Sequence, residues 1–220
     1  MPNRKRVFII HGWGGSPQEG WFPWLSAELE KRGFAVQTPE MPDTDNPKIE
    51  AWISCLQRIV GKCDENTFFV GHSIGCQAVM RYLEKLSESE KAGGPARIAM
   101  PARMTHVSVS GGRNVAGGAV FVAPWLVLSG LEDDEERFTS SPWITTPIDF
   151  GKVKARVEKI ICIFSDDDPY VPLENIELFS GNLGAETIVE KNKKHFSGED
   201  GFSELPVVLE KILKIAESRE

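Results

Sequence analysis

The sequence lacks the long apolar runs and the excess of basic residues that mark two large classes of protein. No apolar stretch reaches the roughly 18 residues of a membrane-spanning helix, and the basic N-terminus runs into a predicted strand, unlike a signal peptide. The net charge of −7 and isoelectric point of about 5.3 argue against nucleic acid and anionic membranes as partners. We therefore expect a soluble, cytoplasmic protein that binds neither.

Cysteine is also scarce, and its spacing is unlike that of a metal or redox site. The four cysteines form no C-x-x-C pair and no cluster with histidine at zinc-ligand spacing. We expect reduced and mostly buried thiols, with Cys63 partly exposed. The sequence indicates neither a metal nor an organic cofactor.

Apolar runs alternate with helical patterns along the 220 residues, which is typical of an α/β fold with a parallel sheet. Strands are predicted at residues 7–10, 35–37, 67–70, 119–123, 160–164 and 187–189, and helices at 24–32, 49–60, 73–86, 171–183 and 205–216. The acidic stretch 132–137 is interpreted as a solvated loop, with a minimal cap over the site as the alternative. We therefore expect one domain over residues 1–220, a three-layer α/β/α sandwich with reactive groups at the carboxyl ends of its strands.

One segment departs from this alternation. Its ends repeat Ala-Gly-Gly, at residues 92–94 and 116–118, and no Asp or Glu occurs from residue 91 through 131. Removal of residues 95–118 would leave a short, ordinary connection between helix and strand. We predict an insertion at 95–118 in a surface loop, with a basic docking arm as the alternative.

The most informative motif is the pentapeptide G-H-S-I-G at residues 71–75, which follows a predicted strand and precedes a predicted helix. Glycines on both sides of Ser73 leave room for a sharp strand-to-helix turn that exposes the serine hydroxyl. A serine hydroxyl needs a positioned base before it can act as a nucleophile near neutral pH. The motif in this context predicts a serine hydrolase, with His72 supporting the turn.

The base and its acid follow from the chain order serine, acid, histidine. Of the four histidines, His11 and His72 precede Ser73 and His106 lies in the predicted insertion, which leaves His195 as the candidate base. Three aspartates at residues 166–168 follow the predicted strand 160–164, which precedes His195 in the chain. We assign the acid to Asp168 because it directly precedes a proline in a D-x-x-V-P arrangement, with the other two expected to cap the turn or face solvent.

The oxyanion of the transition state needs backbone N–H donors. One is expected from Ile74, the residue after the nucleophile, and the other from the glycine-rich loop after the first strand. In that loop we favour Trp13, with Gly12 as the alternative. The loop matches neither the dinucleotide-binding nor the P-loop spacing, so it does not indicate a nucleotide site.

Together these motifs resemble the YdeN-like small serine hydrolases of the α/β-hydrolase superfamily, a branch that includes mammalian retinoblastoma-binding protein nine. The resemblance runs nearly end to end, apart from residues 95–118. It rests on residues 11–15 (HGWGG), 20–24 (GWFPW), 41–43 (MPD), 71–75 (GHSIG), 80–82 (MRY), 167–172 (DDPYVP) and 195–196 (HF).

The resemblance implies a compact α/β-hydrolase fold without a large lid and a triad of Ser73, Asp168 and His195. It also implies that the substrate is a small-molecule ester or activated amide and that no cofactor is needed. The sequence does not distinguish carboxylesterase from peptidase activity. No L-x-C-x-E motif occurs, so a retinoblastoma-binding role is not transferred and no protein partner is indicated. The alternative is a non-catalytic binding protein on a hydrolase fold.

Overall fold

A six-stranded parallel sheet forms the centre of the molecule. The computed structural model describes residues 4–86, 114–131 and 133–217. The strands lie in the order β2-β1-β3-β4-β5-β6, and each pairing is parallel. They are β1 (Arg6–Ile10), β2 (Ala35–Gln37), β3 (Thr67–His72), β4 (Gly118–Val122), β5 (Ile160–Ser165) and β6 (Glu186–Glu190).

The helices cover both faces of this sheet. Within the described ranges they are α1 (Phe22–Lys31), α2 (Ile49–Val60), α3 (Ile74–Lys85), α4 (Asp134–Thr145), α5 (Phe150–Ala155), α6 (Glu174–Leu183) and α7 (Pro206–Glu217). Helices α1 and α7 pack together, whereas α2, α3, α5 and α6 form a second group in which each contacts the next. The predicted three-layer sandwich is confirmed. None of the helices in these ranges is long and apolar enough to cross a membrane.

The central strands are apolar on both sides because helices cover both faces. Every residue of β3, β4 and β5 is buried, whereas the edge strands β2 and β6 are only partly covered. Parallel strands place their carboxyl ends at one edge of a sheet, so the loops after β1, β3, β4, β5 and β6 meet there. This edge holds the residues that the sequence predicts as the site.

The predicted strands and helices are all present, with ends that shift by three residues or fewer. The interpretation of the acidic stretch as a loop is wrong, because α4 begins there. The side chain of Asp133 caps the helix by accepting the N–H of Glu136 at 2.8 Å. Three acidic residues in the first turn also interact favourably with the positive end of the helix dipole. The sequence analysis missed α5 as well.

All four cysteines are buried and unpaired. The expectation that Cys63 is partly exposed is wrong, since it packs within the hydrophobic core at 1% exposure. Burial raises the pKa of the Cys63 thiol to about 12, so this thiol is un-ionised near neutral pH.

Residues 95–113 of the predicted insertion lie outside the described residues. The last residues of that segment are described and join the sheet, where the N–H of Gly117 donates to Thr67 O at 2.8 Å. Because Ala-Gly-Gly stands at both ends, deletion of residues 92–115 leaves the same sequence as deletion of 95–118. Only the boundaries 92–115 keep the sheet-bonded residues in the fold, and the insertion itself stays a prediction.

Candidate active site

Ser73 lies at a sharp turn between β3 and α3. Its backbone has φ 51° and ψ −121°, a conformation that costs a non-glycine residue about 1–3 kcal/mol. The flanking glycines are required by close packing, since a Cβ on Gly75 would lie 2.4 Å from Ile10 O and one on Gly71 would lie 2.9 Å from Cys76 N. The turn therefore has the geometry that a nucleophile elbow needs.

The structure brings His195 and Asp168 into direct contact. His195 Nδ1 lies 2.9 Å from Asp168 Oδ2 and 3.1 Å from Oδ1. The Asp168 side chain is 1% exposed, and its Oδ1 also accepts the N–H groups of Tyr170 and Val171 at 2.9 and 3.0 Å. A carboxylate that accepts from Nδ1–H leaves Nε2 as the proton acceptor of the ring.

The other two aspartates of the loop make different contacts. Asp167 Oδ1 accepts hydrogen bonds from Ser165 Oγ and Lys194 N, both at 2.7 Å, and Asp166 Oδ1 accepts from Asn192 N at 2.8 Å. The bond from the Ser165 hydroxyl, followed by that from Lys194, lowers the pKa of the Asp167 carboxyl. These carboxylates tie the loop after β5 to the loop that bears the histidine, and they do not contact the ring.

His72 contacts the backbone of the candidate base, which sequence reasoning missed. Its Nε2 lies 2.8 Å from His195 O, and because a carbonyl can only accept, this nitrogen donates. On the other side, Asp200 Oδ2 accepts the N–H of His195 at 3.1 Å. Burial, reinforced by the neighbouring His195, lowers the pKa of His72 to about 3, so the ring is neutral. Both backbone polar atoms of His195 are therefore held by side chains.

The remaining histidines take no part in this contact. His11 is fully buried; its Nδ1 donates to Gly12 O at 2.8 Å and its Nε2 accepts the N–H of Met41 at 3.1 Å. Burial lowers the pKa of His11, which keeps the ring neutral beneath the glycine-rich loop. His106 lies outside the described residues.

Trp13, in the glycine-rich loop after β1, and Ile74, at the start of α3, both line one cavity at the carboxyl edge of the sheet. Among the described residues, neither N–H donates a hydrogen bond to a protein acceptor. The two following N–H groups of the loop are already engaged, Gly14 with Thr44 O at 2.8 Å and Gly15 with Gly12 O at 3.3 Å. Trp13 and Ile74 thus keep donors available for an incoming oxygen atom.

These groups line one cavity of about 750 Å³ at the carboxyl edge of the sheet. Ser73 and His195 both face it, together with Trp13, Ile74 and Trp125. Its acidic lining residues are Glu19, Glu136, Glu199 and Asp200, and no Lys or Arg lines it in the part of the chain that the structure describes. The cavity is large enough for a small organic molecule.

The hydroxyl of Ser73 has a partner that the sequence did not indicate. Trp125 Nε1 lies 3.3 Å from Ser73 Oγ and donates to it. Within the described ranges, Oγ makes no hydrogen bond with His195 Nε2, although both groups face the same cavity. In serine hydrolases the hydrogen bond between a nucleophile and its base is often long without ligand and shortens when substrate binds. No group of three or more potential metal ligands occurs among residues 4–86, 114–131 and 133–217.

Comparison with known proteins gives consistent matches along the chain. A family model described as serine hydrolase matches residues 7–106 and 97–214. The hydrolase YdeN of Bacillus subtilis strain 168 is 29% identical over 204 residues, which cover 93% of this chain and 92% of that protein. Serine hydrolase RBBP9 of Rattus norvegicus is 27% identical over 216 residues, covering 97% of this chain and 98% of that protein.

Solved structures show the same architecture. The crystal structure of the YdeN gene product from Bacillus subtilis superposes with a TM-score of 0.78 at 25% identity, covering 96% of this chain and 98% of that one. Est1E from Butyrivibrio proteoclasticus superposes with a TM-score of 0.64 at 16% identity, covering 99% of this chain and 87% of that one, and shows the fold alone. The architecture matches that of these α/β-hydrolase neighbours, without a large lid in the described residues.

Proposed function

Because the chain belongs to the serine hydrolase family, we propose that it cleaves carboxylic esters or activated amides through Ser73, His195 and Asp168. Membership of this family identifies the chain as an enzyme that catalyses hydrolysis, and it indicates a small-molecule substrate. One observation supports the finer proposal: the elbow serine faces the same cavity as a histidine whose Nδ1 is bonded to the buried Asp168. In the proposed site, His195 Nε2 bonds to Ser73 Oγ when substrate binds, and this bond converts the hydroxyl into a nucleophile.

In the proposed reaction, Ser73 Oγ attacks the carbonyl carbon of the substrate while its proton passes to His195 Nε2. Asp168 stabilises the imidazolium that forms and holds the ring in the tautomer with Nδ1 protonated. His195 then gives the proton to the leaving group, and an acyl-enzyme on Ser73 remains. Water, deprotonated by the same ring, attacks the acyl-enzyme and releases the acid and the free serine.

The negative oxygen of each tetrahedral intermediate needs donors that are already in place. We assign this role to the N–H groups of Ile74 and Trp13, which have no protein acceptor among the described residues. Ile74 N–H also lies in the first turn of α3, where the helix dipole favours negative charge. Removal of one such donor costs about 2.7–4 kcal/mol of transition-state stabilisation in a serine hydrolase.

The charge of the cavity limits the substrates that it favours. Glu19 and Glu199 lie in the lining, and no lysine or arginine of the described residues lines the cavity, so its potential is expected to be negative. We therefore expect neutral or cationic esters to be preferred over anionic ones. For two esters with the same acyl group, one with a trimethylammonium and one with a carboxylate on the alcohol, kcat/KM should favour the cation by at least about threefold. Added salt should reduce the difference, and a preference for the anion would contradict the assignment.

The nucleophile is tested by labelling the purified protein with a fluorophosphonate, which reacts with activated serines. Wild type is compared with Ser73→Ala and, as a matched control, with Ser180→Ala on the exposed surface of α6. We expect labelling of wild type and of the control, and none of Ser73→Ala. A folded wild type that does not react would refute Ser73 as an activated nucleophile.

A further inference from the structure

Trp125 lies on the loop after β4, beside the turn that bears Ser73. Its side chain is buried, with the whole residue at 1% exposure, and its indole Nε1 donates to Ser73 Oγ at 3.3 Å. The backbone of the same serine is held by β4, because its N–H donates to Val122 O at 2.9 Å. Both the main chain and the hydroxyl of the nucleophile are therefore in contact with this one segment.

Side chains on two helices fix the position of the Trp125 loop. Gln77 of α3 donates from Nε2 to Trp125 O at 3.0 Å. Asn175 of α6, which is fully buried, accepts from the N–H groups of Leu126 and Val127 at 2.7 and 3.1 Å. These bonds leave the indole little freedom to move away from Oγ.

The polar chain continues beyond Gln77 into the interior. Arg81, one helical turn further along α3, donates from Nε to Gln77 Oε1 at 3.3 Å. Its terminal nitrogen donates to the carbonyl oxygens of Trp143 and Thr146 at the end of α4, at 2.9 and 2.8 Å. Ser73, Gln77 and Arg81 are spaced by four residues and lie on one side of α3. A buried, fully bonded network of this kind holds its members in one arrangement.

The chemistry of an indole gives this contact a direction. Its N–H can donate but cannot accept, so Ser73 Oγ must be the acceptor and its own proton remains free for another partner. His195, the proposed base, lines the same cavity as Ser73. A donor at Oγ therefore does not compete with the proposed base.

We propose that Trp125 Nε1–H is a catalytic hydrogen-bond donor that acts on the nucleophilic oxygen itself. This inference rests on the proposed function of Ser73. As the Oγ–H proton passes to His195 and the bond from Oγ to the carbonyl carbon forms, the indole stabilises negative charge on Oγ and keeps its own proton. When the acyl-enzyme breaks down, the same N–H stabilises Oγ as it leaves the carbonyl carbon.

The test removes the N–H and keeps the shape of the side chain. Trp125→Phe deletes the donor, and Trp125→benzothienylalanine replaces the indole nitrogen by sulfur with nearly the same volume. The matched control is Trp143→Phe, because this buried tryptophan donates to Pro47 O, at 2.9 Å, and does not contact Ser73 through its N–H. Rates of fluorophosphonate labelling and of the burst and steady phases of ester hydrolysis are measured for each folded protein.

A hydrogen bond to a charged group is stronger than one between neutral groups, but the 3.3 Å length of this one makes it weak for its class. We therefore expect labelling to slow by about tenfold, which corresponds to about 1.4 kcal/mol. Both Trp125 variants should show this loss, and both phases of ester hydrolysis should slow. Wild-type rates in the benzothienylalanine variant would overturn the inference while leaving the proposed function intact. A wild type that is not labelled would instead overturn the proposed function.

Discussion

The neutral, buried ring of His72 makes stability depend on pH in a way that one substitution can isolate. The pKa of His72 is about 3 in the folded chain, against an ordinary value of 6.5 that applies when the chain is unfolded. The contribution of the neutral ring to the free energy of unfolding is fully present above pH 6.5. It is lost as the pH falls from 6.5 toward 3, because in this range only the unfolded chain binds the proton. At pH 5 the loss amounts to about 2 kcal/mol, from about 1.4 kcal/mol per pH unit.

His72→Gln tests this dependence because glutamine offers an N–H donor at a similar reach to Nε2 and does not titrate. The free energy of unfolding is measured in urea for both proteins at pH 7 and pH 5. Wild type should lose about 2 kcal/mol more than the variant over this interval, since the carboxylates and His11 are common to both and cancel in the difference. Equal losses would refute the neutral, buried state of His72.

Further predictions concern the acid, the elbow and the predicted insertion. Asp168→Asn should lower kcat for ester hydrolysis by about 10⁴-fold, because the histidine would be held in the wrong tautomer. The kcat of Asp166→Asn should stay within about tenfold of wild type, and similar losses of kcat in the two variants would contradict the assignment. Gly75→Ala should lower the free energy of unfolding by about 2 kcal/mol or more, whereas Gly181→Ala, in open space on α6, should raise it by about 0.5–1 kcal/mol. We propose that residues 92–115 are an insertion whose deletion preserves the thermal midpoint and fluorophosphonate labelling; loss of either would show that the segment is integral.

The sequence predicts best those elements whose order of apolar and polar residues is set by burial alone. β3, β4 and β5 are covered on both faces, so each is an uninterrupted run of buried residues that stands out in a polar chain. Helix α4 gave no such signal, because it buries few residues and contains Pro142. Its end is held from another element, by the guanidinium of Arg81, and a sequence pattern does not show that contact.

The residues of the candidate site also fall into those that the sequence predicts and those that it does not. Ser73, Asp168 and His195 could be proposed because each stands at a fixed place relative to a strand end, and chain order restricts the choice. The contacts of His72 with His195 O and of Trp125 with Ser73 Oγ join residues that are 123 and 52 positions apart. Such contacts depend on how neighbouring loops meet at the sheet edge, and no local motif encodes them.

The loop that bears His195 shows what this placement demands of the backbone. Asn192, Lys194 and Phe196 all have positive φ, at 54°, 44° and 57°, and such conformations cost a non-glycine residue about 1–3 kcal/mol.

Three of the bonds that hold this loop come from outside it. Asp166 and Asp167 accept the N–H groups of Asn192 and Lys194, and Trp21 Nε1 donates to Phe196 O at 2.9 Å. Each strained residue thus has its own backbone contact with a side chain from another part of the fold. The backbone of this loop adopts locally unfavourable conformations, and they place the imidazole ring of His195 in the site. Departures of this kind from local preference are expected at functional sites.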